Sequence, residues 1–124
     1  SVYGPKYRQL DEDLKAYDKL AVMARQWVIC NRKAREELAK LGNGRVLSFR
    51  YEDLVEKPEI CLRQIYSHCD LEFDDNILRR AREMIDPGRQ KKWLRLDQEQ
   101  LRAVIPHLQQ EMEICGYEIP LALR

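Results

Sequence analysis

The sequence predicts an α/β chain that is itself mostly helical, with one strand near residues 45–50. Three observations carry this. Apolar residues recur at helical spacing over most of the length. Only Val46-Leu47-Ser48-Phe49 has the composition of a strand, with glycines before it and acids after it. Gly, Pro and Asp clusters punctuate the pattern where helices should begin and end.

Taken in order, Gly4-Pro5 breaks an irregular opening. From about Asp11 a long helix is expected, with Asp11 or Asp13 as its cap. Leu14, Tyr17, Ala21, Ala24, Val28, Asn31 and Leu38 share one face, and Leu20, Trp27, Ala34 and Leu41 widen it. Leu41-Gly42-Asn43-Gly44 is a C-terminal stop. After the strand, Pro58 stands where a helix starts, and Ile60, Leu62, Ile65, Tyr66 and Cys69 follow at helical spacing. Leu71-Glu72-Phe73 reads as a hinge. Asp74 or Asp75 caps a helix that runs through about Met84, with Ile77, Leu78, Ala81 and Ile85 inward. Asp86-Pro87-Gly88 breaks it and a basic stretch follows. Leu96-Asp97 is a hinge and cap for the last helix, through Leu101, Val104, Ile105, Leu108, Met112 and Cys115. Pro106 inside that helix predicts a kink or a change of helix.

A single strand cannot satisfy its own backbone donors and acceptors. Either further strands lie upstream of Ser1, or 45–50 is an extended loop in a helical domain. The chain opens at Ser1 rather than methionine and shows no leader, so the expectation is a sequence that continues upstream.

Composition narrows the function classes. At 124 residues the chain is one domain's worth, 1–124. Hydrophobic residues at 44% against 35% charged exclude a disordered tail. Lys plus Arg at 22 nearly cancels Asp plus Glu at 21, which argues against a nucleic-acid partner and makes any anion site local. No apolar run is long enough for a membrane segment. Cys30, Cys61, Cys69 and Cys115 show no Cys-x-x-Cys pair, and His68 and His107 are the only histidines, so no metal site is expected. The thiols read as small buried residues, and the redox compartment stays open.

The stretch Phe49-Arg50-Tyr51-Glu52-Asp53-Leu54 is the most informative. The carboxyl end of a strand in an α/β layer is where ligands bind. Tyr51 has a ring face for a base and a hydroxyl as a polar handle. Glu52 and Asp53 can hold the turn by accepting backbone N–H bonds. The bland alternative is that Tyr51 packs in a core and the acids cap a helix. Downstream, Arg89, Lys91 and Lys92 suit phosphate, guanidinium by bidentate grip and ammonium as point charge, or else form a solvated face. Trp93 covers a ligand or anchors the last helix. Trp27 and Asn31 sit on an apolar stripe and read as core.

Val46 through Pro58 resembles the V-x-x-x-R-Y-E-D-L-V-x-x-P stretch of sulfotransferases that use 3'-phosphoadenosine 5'-phosphosulfate (PAPS). Leu62 through Phe73 is similar to the family's L-x-x-I-x-x-F-L-G-L-x-F helix and hinge, departing at Cys69-Asp70 where Leu-Gly is usual. Trp27 with Asn31, Lys92-Trp93 with the later Gly116-Tyr117, and Tyr3-Gly4-Pro5-Lys6-Tyr7 resemble further family segments, in order. The resemblance implies the C-terminal part of a P-loop-like three-layer α/β domain whose N-terminal half is absent from this chain. It implies PAPS as sulfuryl donor and an acceptor hydroxyl on a carbohydrate, a peptide tyrosine or a small molecule. It implies that Tyr51 contacts adenine, that Arg89, Lys91 and Lys92 lie in a loop over the cofactor phosphates, and that Trp93 closes that loop. The family's Gly/Ser/Thr-rich phosphosulfate loop is not found, since Gly42-Asn43-Gly44 precedes a strand rather than a helix. No catalytic residue is assigned. The expectation is sulfuryl transfer by the full-length enzyme and not by this chain alone. The rival is a non-catalytic helical interaction domain, a remnant of such an enzyme.

Overall fold

The computed structural model describes residues 4–124, and every regular element among them is helical. The chain up to Lys40 together with Leu96–Arg124 forms one compact unit, and Leu41–Arg95 forms a second.

In the first unit α1 spans Leu10–Ala16 and α2 spans Lys19–Leu38. The single long helix expected from Asp11 is therefore two. Tyr17 is extended (φ −128°, ψ 156°), and the Asp18 carboxylate accepts the Ala21 N–H at 2.8 Å. An aspartate that caps a new first turn outweighs an apolar stripe running across the junction. Asp11 and Asp13 lie inside α1, where they favour its positive end, and Gln9 occupies the cap position. The third long helix of this unit, Gln98–Ile114 (α6 below), starts as expected, with the Asp97 carboxylate accepting the Gln100 N–H at 2.9 Å. It runs through Pro106 without a break. A proline there removes one N–H donor, which the packed helix tolerates. Gly116 at φ +76° closes it: its N–H donates to Glu113 O and the Tyr117 N–H to Met112 O, at 3.1 and 2.8 Å. This pair of hydrogen bonds around a left-handed residue is why glycine stands at that position.

Helices α2 and α6 pack on each other around Ala21, Ala24 and Val104, with Leu20 and Leu108 against them. Two alanines let the axes approach closely. The most deeply buried side chains of the unit are Val22 and Glu111. Glu111 on α6 is 1% exposed and is gripped by both terminal nitrogens of Arg35 on α2, with Nη2 donating to Oε2 at 3.0 Å. The Arg35 hydrogen bond holds the Glu111 carboxyl below the usual range, against the opposing push of burial. Trp27 meets Tyr117 edge to face, which ties the tail to α2.

The opening segment is also pinned. Buried Asp13 accepts from Arg25 Nε at 2.7 Å and from the Tyr7 hydroxyl. Buried Gln26 donates through Nε2 to Pro5 O at 3.1 Å. A Cβ on Gly4, which sits at φ +131°, would come within 2.9 Å of Gln26 Oε1. Gly4-Pro5 thus acts as a packed contact as well as a chain breaker.

In the second unit α3 covers Tyr51–Glu56, α4 Pro58–His68 and α5 Asp75–Met84. Pro58 opens α4 and the Asp74 carboxylate caps α5 through the Asn76 and Ile77 N–H groups, as predicted. Helix α4 packs on both α3 and α5, and Val55, Cys61 and Leu78 are buried. Arg63 lies over the Phe73 ring, whose edge contact is Tyr66. The expected strand is corrected: residues 46–50 have no regular structure, and no strand occurs among the described residues. A strand exists by virtue of a partner's hydrogen bonds, and composition alone cannot supply them.

Cys69-Asp70 is where the sequence departs from the Leu-Gly of the resembling family. Asp70 has φ +55°, and its N–H and that of Leu71 close α4 onto Ser67 O and Tyr66 O. An L-residue in this left-handed position costs on the order of 1 kcal/mol. Asp70→Gly is therefore expected to stabilise the protein by up to about 1 kcal/mol, read by thermal unfolding; an unchanged or lower midpoint would refute the strain.

The buried pair makes an asymmetric prediction. Arg35→Ala leaves the Glu111 carboxylate buried without its partner, whereas Glu111→Leu removes the charge and leaves Arg35 free to reach water. Arg35→Ala should have the lower melting midpoint of the two. Tyr7 adds a pH dependence. Burial first, and then the Asp13 carboxylate, push its hydroxyl up to about 12 from an ordinary 10.0. The folded state holds this proton where the unfolded chain releases it. The stabilisation is complete below about pH 10 and is lost as pH rises towards 12. The stability advantage over Tyr7→Phe should shrink across that window in chemical unfolding series.

Candidate cofactor site

Tyr51 is the first residue of α3, preceded by extended Arg50 (φ −85°, ψ 148°). Its side chain is not in a core: Tyr51 is 51% exposed. Asp53 accepts a backbone N–H bond from Arg50, as expected, and is gripped by the Arg50 side chain as well. Arg50 donates through Nε and Nη2 to the two oxygens of Asp53, at 3.1 and 3.0 Å. This fork holds the Asp53 carboxyl below the usual range. It also braces the turn in which the backbone passes into Tyr51. Glu52 and Asp53 both lie in the first turn of α3, where negative charge is favoured.

The basic stretch forms a 3-10 helix, Pro87–Arg95, that packs against α3. The Asp86 carboxylate accepts the Gly88 N–H at 3.0 Å and lies 3.5 Å from Arg89 Nε, so it starts the turn and draws in one cation. Lys91 and Lys92 are exposed. Trp93 is half-buried, which fits an anchoring role. The structure thus places Tyr51, Arg89, Lys91, Lys92 and Trp93 in one compact unit, on two elements that touch.

Gln90 is the residue that the sequence reading passed over. It is half-buried, and its amide Nε2 is shielded from solvent with no acceptor among the described residues. Residues three apart eclipse in a 3-10 helix, so Gln90 and Trp93 share the inward face while Arg89, Lys91 and Lys92 are exposed. That three-residue spacing from Trp93 was the available signal. A run of cations masked it.

Chemically the arrangement is suited to binding rather than to proton transfer. An exposed aromatic face and three exposed cations on touching elements suit the base and the phosphates of a nucleotide, so the residues present fit such a group. Among the described residues no set of His, Cys, Asp and Glu could hold a metal, and all four cysteines are free thiols. No described helix is long and apolar enough to cross a membrane. The first unit carries a separate open groove of about 600 Å³ between α6 and the tail, lined by Ile105, Pro106, Tyr117, Ile119 and Leu123. None of the predicted site residues lines it.

A family model described as the sulfotransferase family matches residues 2–75. That is more than half of the chain and includes Arg50 through Pro58. The chain belongs to the sulfotransferase family. The match stops short of Arg89–Trp93, so those residues rest on the geometry above. Neither the curated proteins nor the solved structures give a match. In this sulfotransferase chain, Tyr51→Ala should cost little stability, within about 1 kcal/mol, because the ring is half exposed. A larger loss in thermal unfolding would return Tyr51 to a packing role.

Proposed function

We infer that this chain is the C-terminal portion of a sulfotransferase domain, a P-loop-like three-layer α/β domain completed by upstream sequence. The full domain moves a sulfuryl group from PAPS to an acceptor hydroxyl on a carbohydrate, a peptide tyrosine or a small molecule. The observation that carries this reading is the family match across the Arg50-Tyr51-Glu52-Asp53-Leu54 motif. The contact between the Tyr51 helix and the basic 3-10 helix supports it.

When bound, PAPS supplies an activated sulfuryl group on a phosphate leaving group. The chain's own residues bind and orient. Tyr51 offers its exposed ring to the adenine. Lys91 and Lys92 lower the cost of bringing phosphate charge to this surface, and Arg89 joins them when it lets go of Asp86. Trp93 anchors the loop so that the cations are held over the nucleotide. The base that accepts the acceptor's proton belongs to the upstream part.

Transfer from labelled PAPS to a panel of the three acceptor classes by the full-length protein tests the activity. No transfer to any of them would refute it. Calorimetric titration with the desulfated product nucleotide tests the site. Tyr51→Ala should weaken binding by about tenfold or more, the usual scale for losing a stacked aromatic. Replacing Lys91 and Lys92 with Ala should weaken it and flatten its salt dependence. A folded protein that binds no nucleotide would favour the second reading, a non-catalytic helical interaction domain. That reading has its own support in the all-helical elements of residues 4–124.

A further inference from the structure

The open groove between α6 and the tail is polarised along its length. Its α6 wall runs from Arg102 through Ile105, Pro106 and Gln109 to Glu113. The rise of a helix puts the two ends of that wall roughly 16 Å apart. The opposite wall brings apolar Ile119 and Leu123. The Tyr117 N–H bonds Met112 O, so Glu118 enters the groove at the Glu113 end.

The cations of this groove are fixed but not neutralised. Arg102 Nε and Nη2 donate to Ala122 O at 3.2 and 3.1 Å, and Arg124 Nε donates to Ile119 O at 3.0 Å. A backbone carbonyl holds each guanidinium in place, carries no charge to cancel it, and leaves terminal N–H groups over. Neither arginine is paired with a carboxylate among the described residues. At the other end the Glu113 carboxylate accepts from the neutral amide of Gln109 at 3.1 Å. It stands in the last turn of α6, where the helix dipole adds negative potential. Between the ends, Pro106 has no N–H, so the Arg102 carbonyl on this wall lacks its usual helical donor.

We propose that this groove binds a short free peptide with apolar side chains, its carboxylate at Arg102 and its ammonium at Glu113 and Glu118. The groove of about 600 Å³ presents a cation, an open carbonyl and acids in that order, and a peptide presents the complements in the same order. An extended peptide of about five residues spans the wall. Its backbone N–H groups supply the donor that the Arg102 carbonyl lacks, which an alkyl chain with charged ends does not. Its side chains lie on Ile105, Ile119 and Leu123. The groove is separate from the candidate cofactor site, and the proposal does not depend on the nucleotide reading.

The test titrates the full-length protein with Ala-Leu-Ala-Leu-Ala, with its C-terminal amide and with its N-acetyl form, by calorimetry and by methyl shifts in NMR. The free peptide should bind saturably and shift the methyls of Ile105, Ile119 and Leu123. Each blocked form should bind about threefold to fivefold more weakly, the scale of a partly exposed ion pair. Arg102→Gln should weaken the free peptide by a similar factor and leave the affinity of the amide unchanged, as two members of one contact do. Glu113→Gln together with Glu118→Gln should do the same with the N-acetyl form. Those two changes do not touch the bonds to the tail, so they keep the test decisive if Arg102→Gln lowers the melting midpoint. No saturable binding of the free peptide, equal binding of the three forms, or shifts confined to other methyls would each overturn the proposal. So would dilution-dependent shifts of the same methyls without peptide, which would assign the groove to a second copy of the chain.

Discussion

The pairing of α2 with α6 is the constraint on which the rest of the molecule depends. Arg35 and Glu111 are 76 positions apart in sequence, and their ion pair closes the chain around everything between them. The carboxylate is buried and the guanidinium is partly exposed, so the arginine can satisfy it without itself being stripped of all water. Alanines at 21 and 24 supply the close approach, and Val104 fills the space that remains. Because the flanks of the chain make this unit, residues 41–95 are an insertion between two paired helices. The candidate site lies wholly inside that insertion.

Legibility in the sequence followed the range of the interaction. Caps and breakers act over three or four residues and were readable: Asp74, Asp97 and Pro58 all stand where a local rule puts them. The junction at Tyr17-Asp18 was missed because an amphipathic stripe continues across it, and periodicity reports which face is apolar rather than whether the backbone bends. Asp70 was visible as a departure from Leu-Gly, but its meaning needed a backbone angle. It accepts the left-handed conformation that glycine adopts freely and still closes the helix. The buried partners Asp13 with Arg25, and Glu111 with Arg35, were not readable, since each joins separate elements and a charged residue in sequence looks solvated.

The site was readable in part, for the same reason. The Tyr51 motif is contiguous, so a resemblance could find it, and the family match covers it. The basic loop could be found by charge. That the loop and the Tyr51 helix touch is a tertiary fact, and so is the lack of an acceptor for Gln90. Neither the charge count nor the hydropathy of Arg89 to Lys92 distinguishes a cation over phosphate from a solvated one. Their placement against α3 is what gives the first interpretation weight.

The segment 46–50 and the exposure of Tyr51 are two sides of one problem. Val46 and Leu47 are half-buried, Phe49 is exposed, and the backbone between them has no ladder. In a domain completed by neighbouring strands, as the proposed function requires, this stretch gains partners for its donors and acceptors. Its carboxyl end then becomes the edge at which ligands bind. Arg50 and Asp53 already hold the exit from that stretch in one geometry by their two hydrogen bonds. Pairing the strand would therefore fix the backbone from which Tyr51 projects without any change to the turn that carries it. The turn is local and forms alone; the ladder is not and does not. This division explains how a strand-like sequence with no strand among the described residues can still present the residues of the candidate site.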